Sequence, residues 1–146
     1  NNIALVPGLF ILIPGFLEMR GNISGSLSAR LSSALFLNKA RPRLSNNFVL
    51  GENVKASILL AVIVSFSLGS IAYLAGFLFG INNPMIIAIA LLAGMFSNAI
   101  EIPLTVMFNF WLFRKGYDPN NIMGPYVTTL GDIVSIFSIL IAVLVM

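Results

Sequence analysis

The sequence predicts an all-α integral membrane protein, a polytopic bundle of transmembrane helices. Of its 146 residues 58% are apolar and 9% are charged, whereas an ordinary soluble domain has about 25% charged residues. The mean hydropathy is +0.99. Eight basic and five acidic side chains are too few to cover a soluble domain of this length, so the expected surroundings are a lipid bilayer.

Four apolar stretches predict four transmembrane helices, over residues 3–37, 56–81, 85–113 and 122–146. A span needs about 20 residues, so the last three fit with some tilt. The first would be about 52 Å long as one straight helix, which exceeds a simple crossing. Because Pro14, Gly21 and Gly25 lie within it, we expect a long, kinked helix that projects partly beyond the bilayer.

The loops between these stretches differ in charge. Residues 38–55 carry Lys39, Arg41, Arg43 and Lys55 against Glu52, and residues 114–121 carry Arg114 and Lys115 against Asp118. The loop at residues 82–84 is uncharged. The positive-inside rule therefore predicts a multi-pass protein of the cell membrane, with loops 38–55 and 114–121 cytoplasmic. These loops account for the pI near 9.7 without a nucleic-acid partner.

The chain has no cysteine and no histidine. Disulfides, thiolate metal sites, histidine metal sites and Ser-His-Asp triads are therefore excluded. We do not expect an enzyme.

Five charged residues fall within the predicted spans, namely Glu18, Arg20, Arg30, Glu101 and Asp132. A charge at mid-membrane costs at least about 2.5–3.5 kcal/mol, so each needs a partner, a cavity or a function. Arg30 lies towards the basic end of its span, where its side chain can reach the interface, and we assign it a structural role.

Asp132 is the strongest candidate for a functional site. Thr128 and Thr129 lie one helical turn before it and Ser135 nearly one turn after, and Pro125 lies two turns before. A carboxylate with hydroxyls and backbone carbonyls in a wet cavity suits a hydrated magnesium ion, since magnesium takes oxygen ligands and keeps several waters. The alternative is an aspartate that only bonds neighbouring helices.

Two further polar patterns leave alternatives open. Glu101 lies on a stripe of polar residues at steps of four, with Ser97, Thr105 and Asn109; it either lines an ion route or pairs with Arg20 or Arg30. Gly21 and Gly25 form a GxxxG pattern that favours close helix packing. Asn22, between them, either packs or offers its oxygen to a cation.

Two segments resemble signatures of a known family, the MgtE-type magnesium transporters, and the first is more similar to the solute carrier 41 branch. In LIPGFLEMRGNISGSLSARLSSA the matching residues are Pro14, Gly21, Asn22, Leu27, Arg30, Leu31 and Ser32. In GYDPNNIMGPYVTTLGDIVSIFSILIA they are Gly116, Asp118, Pro119, Asn121, Pro125, Gly131 and Asp132. The resemblance covers nearly the whole chain, which we treat as one transmembrane domain over residues 1–146.

The resemblance implies a five-helix unit, of which the first helix is not among the four visible here. It also implies a homodimer, a pore near the unit interface, and an ion site at Asp132. Asn22 corresponds to the asparagine of the family's GN motif, and Pro125, Thr128 and Thr129 to positions lining the pore. The cytosolic magnesium-sensing domains are absent from the sequence given. The loop position of Asp118 favours helix capping.

We therefore expect a divalent-cation transporter, with Mg²⁺ as the transported ion. A symmetric homodimer brings two Asp132 and two Asn22 side chains to one axis, with Glu101 lining the route or tuning its field. One rival is an intramembrane aspartyl protease built on Asp118 and Asp132, but such a pair needs two aspartates at one depth on separate helices. The other is a non-transporting subunit held by its GxxxG faces.

Overall fold

The computed structural model describes residues 6–45, 47–80 and 82–145, and four α-helices make up their regular structure. The helices are α1 (Val6–Phe36), α2 (Phe48–Leu78), α3 (Met85–Arg114) and α4 (Pro119–Val145). They correspond in order to the four predicted stretches. The parts of those stretches at residues 3–5, 81 and 146 lie outside the described residues.

Helix α2 begins eight residues before the predicted span. The side chain of Asn47 caps it, with Oδ1 accepting a hydrogen bond from the Leu50 backbone N–H at 3.1 Å. Residues 48–55 were predicted as loop because Glu52 and Lys55 interrupt the apolar pattern. Hydropathy marks where a membrane segment begins, whereas the cap marks where the helix begins.

Helix α4 also begins before its predicted start, at Pro119. The Asp118 carboxylate accepts a hydrogen bond from the Asn120 backbone N–H at 2.9 Å, and proline at the first helical position has no N–H to leave unpaired. Gly116, with φ of 81°, makes the preceding turn. The capping role predicted for Asp118 is therefore confirmed.

Three of the four helices described, α2, α3 and α4, are long and apolar enough to cross a membrane. Helix α1 has 31 residues and runs continuously through Pro14, but Glu18 and Arg20 interrupt its apolar character near the middle. A crossing by α1, and a kink in it, stay predictions.

Helices α1 and α3 lie at the centre of the bundle, each packed against the other three helices, with α2 and α4 beside them. One apolar cluster contains Phe16 and Ile89, and a second contains Leu27 and Phe110. A layer of buried polar residues, Ser97, Asn98 and Glu101, separates the two clusters along α3.

The two basic loops lie at the same end of the bundle. Arg114, at the end of α3, donates from Nε to the Pro42 carbonyl oxygen at 3.0 Å, and Phe36 packs edge-on against Phe113 with ring centroids 5.3 Å apart. These contacts allow both loops to lie on the same side of a membrane.

Candidate cation site

A groove of about 410 Å³ lies between α1 and α4. Its lining residues are Pro14, Leu17, Glu18, Gly21, Asn22 and Gly25 from α1, and Gly124, Val127, Thr128 and Asp132 from α4. Both sets recur at intervals of three and four residues, so each helix presents one face to the groove. Small residues create the space: a Cβ added at Gly21, Gly25 or Gly124 would meet nothing within 4 Å.

The groove lies at mid-height of the bundle. Asp132 is the middle residue of α4, and Gly21 is the middle residue of α1. Asp132 is half-buried, whereas Glu18, Asn22 and Thr128 are exposed. The groove therefore opens on the outer surface of the single chain.

The polar chemistry of the groove favours a cation. Two carboxylates, Glu18 and Asp132, line it, and its described lining contains no lysine or arginine. Asn22 donates from Nδ2 to Glu18 Oε1 at 3.3 Å, which leaves the amide oxygen as an acceptor. Thr128 donates its hydroxyl proton to the Gly124 carbonyl at 2.7 Å, so its oxygen lone pairs also remain available.

The structure thus brings together three of the residues predicted as metal ligands, Asp132, Asn22 and Thr128. Pro125 and Thr129 are exposed on α4 but are not among the groove-lining residues. They lie at neighbouring positions around α4, because each residue of a helix is rotated by about 100° about the helix axis from the one before it. A metal role for these two residues stays a prediction.

Glu101 lies elsewhere, in the buried polar layer. It forms an ion pair with Arg20, and these two side chains are 4% and 0% exposed. Ser24 donates to Glu101 Oε2 at 3.0 Å, and Arg20 Nη1 donates to Ser135 Oγ at 2.9 Å. Of the two alternatives that the sequence left open for Glu101, this geometry matches pairing with Arg20.

The sequence did not single out Glu18 as a ligand, although it lies in the groove beside Asn22. Its spacing of four residues from Asn22 was an available signal, because such residues share a helix face. Arg30, in turn, donates to Ser57 Oγ at 3.0 Å, in agreement with the structural role predicted for it.

The two aspartates of the protease alternative do not meet. Asp118 caps the start of α4 and Asp132 is at its middle, so about 21 Å of helix separates them at about 1.5 Å per residue. A shared-proton pair needs carboxylates in contact. The paired-aspartate geometry is therefore not formed by these residues.

Comparisons with known proteins show the family to which the chain belongs. A sequence model of the MgtE family, described as a divalent cation transporter, matches residues 13–142. Solute carrier family 41 member 2 from human and from chicken is 23% identical over 141 residues, which cover 90% of this chain and 24% of each relative. The frog (Xenopus laevis) protein is 23% identical over 138 residues.

The chain spans about a quarter of the length of these curated relatives. No solved structure matches it. The family match covers most of the chain and includes both signatures, so the family predicted from them is confirmed. The chain belongs to the MgtE family of divalent cation transporters.

Proposed function

We propose that this chain forms part of a pathway for divalent cations, with Mg²⁺ as the transported ion, and that the ion passes through the groove between α1 and α4. The observation that carries the proposal is the position of Asp132 at the middle of α4, where it lines a groove together with Asn22 and Glu18 of α1. Carboxylates at this depth are costly in lipid, so a cation or a water-filled cavity must compensate them.

The groove suits an ion that keeps its water. Six waters at about 30 Å³ each occupy roughly 180 Å³, which fits within the groove volume of about 410 Å³. Magnesium dehydrates reluctantly and binds through one or two carboxylates with several waters retained. In the proposed site Asp132 and Glu18 supply charge, while Asn22 and Thr128 bond the water shell.

A second copy of the chain completes the site in this proposal. The groove opens on the surface of one chain, where Glu18 and Asn22 are exposed, and lipid is an unfavourable neighbour for them. A two-fold axis along the groove would bring two Asp132 side chains to one pathway. Gly21 and Gly25 would then permit close approach between copies, since no atom of the described residues lies within 4 Å of their Cβ positions.

The charges of the loops predict which end of the bundle faces the cytoplasm. The loops around Arg41 and Lys115 lie at one end of the bundle, joined by the contact of Arg114 with Pro42. We infer that this end is cytoplasmic, because cytoplasmic loops carry the excess of lysine and arginine.

Uptake of Mg²⁺ into proteoliposomes tests the function. We expect uptake by the wild type and at least a tenfold loss in Asp132→Asn, which keeps the shape of the side chain and removes its charge. Glu52→Gln is the matched control, because Glu52 is exposed near the start of α2 and pairs with Lys55. Absence of uptake by the wild type in any gradient would overturn the proposal. Full uptake by Asp132→Asn would overturn the site and favour a pathway elsewhere.

Cross-linking tests the dimer. The chain has no native cysteine, so Gly25→Cys introduces a single thiol at a position with open space. We expect a disulfide-linked pair in membranes under mild oxidation. Phe77→Cys is the control on an exposed position of α2, away from the groove. Equal cross-linking at both positions would contradict a two-fold axis at the groove.

A further inference from the structure

The buried pair of Arg20 and Glu101 lies directly behind the groove and joins three helices. Arg20 comes from α1, Glu101 from α3, and Ser135 of α4 accepts from Arg20 Nη1 at 2.9 Å. Charged side chains this deeply buried are retained only where each has a partner, since burial removes the water that stabilises them. The proposed pathway for the cation uses neither of them as a ligand.

Helix α4 brings this pair close to Asp132. A Cβ at Gly131 would lie 3.3 Å from Glu101 Oε1 and 3.6 Å from Arg20 Nη2, so the absence of a side chain there lets the pair approach the helix. Asp132 follows in sequence and points into the groove. Its carboxylate therefore belongs to the residue next to the point where the pair approaches α4.

A fixed guanidinium beside a cation site is normally unfavourable for binding. It repels a divalent ion twice as strongly as a monovalent one, and it competes with the ion for the aspartate. Arg20 is held away from this competition, because Glu101 and Ser135 bind its two terminal nitrogens. Glu101 is itself fixed by Ser24, which donates to Oε2 at 3.0 Å.

We propose that Glu101 is a positioning residue that neutralises and restrains Arg20, so that the Asp132 carboxylate stays available to a divalent cation. This inference rests on the proposed cation site at Asp132. In this role Glu101 affects the affinity for the cation by holding Arg20, and it does not contact the ion itself.

Binding of Mn²⁺ to the purified full chain, measured from the electron paramagnetic resonance signal of the free ion, tests the proposal. Glu101→Gln keeps the size of the side chain and frees the charge of Arg20. We expect the apparent Kd to rise at least tenfold, which equals about 1.4 kcal/mol. The double variant Arg20→Gln with Glu101→Gln removes both charges and should return the Kd to within threefold of the wild type.

Two further variants separate this role from a structural one. Glu101→Asp retains the charge and should bind nearly as the wild type does. Ser138→Ala is the control, since it removes a buried hydroxyl of α4 that bonds only the Val134 carbonyl of its own helix. Should Glu101→Gln fail to fold, Arg20→Gln alone decides: equal or tighter binding supports the proposal, and weaker binding overturns it.

The outcomes also distinguish this inference from the proposed function. If Asp132→Asn abolishes Mn²⁺ binding, the cation site stands. The positioning role alone is then overturned if Glu101→Gln binds as tightly as the wild type, or if the double variant binds as weakly as Glu101→Gln. Equal Mn²⁺ binding by the wild type and Asp132→Asn would instead remove the cation site on which the inference depends.

Discussion

Gly69 of α2 packs directly against the backbone of α3. A Cβ added there would lie 2.8 Å from Ile87 Cα, 3.0 Å from Ala90 Cβ and 3.3 Å from the Ile87 carbonyl oxygen. Carbon atoms pack favourably at about 3.5–4.0 Å, so Gly69→Ala requires the two helices to separate locally by nearly 1 Å. The obstructing atoms belong to backbone and to a methyl group, and no rotamer change can relieve them.

The expected magnitude follows from two opposing terms. Replacing glycine by alanine within a helix stabilises it by up to about 1 kcal/mol, whereas overpacking costs about 1–3 kcal/mol. Gly51→Ala isolates the first term, because Gly51 lies in the same helix and a Cβ there would meet nothing within 4 Å. The free energy of unfolding of Gly69→Ala should therefore lie about 1–3 kcal/mol below that of Gly51→Ala.

Reversible unfolding in mixed micelles, followed by circular dichroism, measures this difference. The comparison of two glycine-to-alanine changes in α2 cancels most effects on the unfolded chain. If Gly69→Ala were as stable as Gly51→Ala, the close contact between α2 and α3 at Ile87 would be refuted.

Two other substitutions give independent tests by the same assay. Asn109→Ala removes an amide that donates to the Ser28 carbonyl at 3.1 Å, Ser28 Oγ at 2.9 Å and Ser32 Oγ at 3.0 Å, and we expect a loss of about 1–3 kcal/mol; an unchanged stability would exclude this α1–α3 network. Asn47→Ala removes the cap on the Leu50 backbone N–H and the hydrogen bonds that Nδ2 donates to the Arg41 and Arg43 carbonyls. It should cost about 1–2 kcal/mol, and an unchanged stability would exclude the cap.

The positions of the helices were predictable because apolar stretches and turn residues are local properties of the sequence. The helix starts at residues 48 and 119 were less accessible, since they depend on the caps at Asn47 and Asp118 and not on hydropathy. Asp132 could be singled out as a candidate site because a carboxylate in the middle of an apolar span is costly wherever the helix packs. Asn22 and Thr128 followed from their spacing and from the family signatures.

The partner of Glu101 could not be derived in this way. Arg20 and Arg30 were both available on α1, and the choice between them depends on how far α1 is shifted along α3. In the structure Arg20 is at the height of Glu101, whereas Arg30 contacts Ser57 on α2. Glu18 shares a helix face with Asn22 by spacing, but the tertiary arrangement is needed to show that this face meets α4 across the groove.

The polarity of α1 has its explanation in this arrangement. One face presents Glu18 and Asn22 to the groove, and another buries Arg20, Ser24 and the serines that follow at steps of four against α3. The second face is covered by α3, so its polar side chains do not meet lipid. These two polar faces account for the lower mean hydropathy of α1 relative to α2. In the proposed function, the first face lines the cation pathway and the second holds Arg20 behind Asp132.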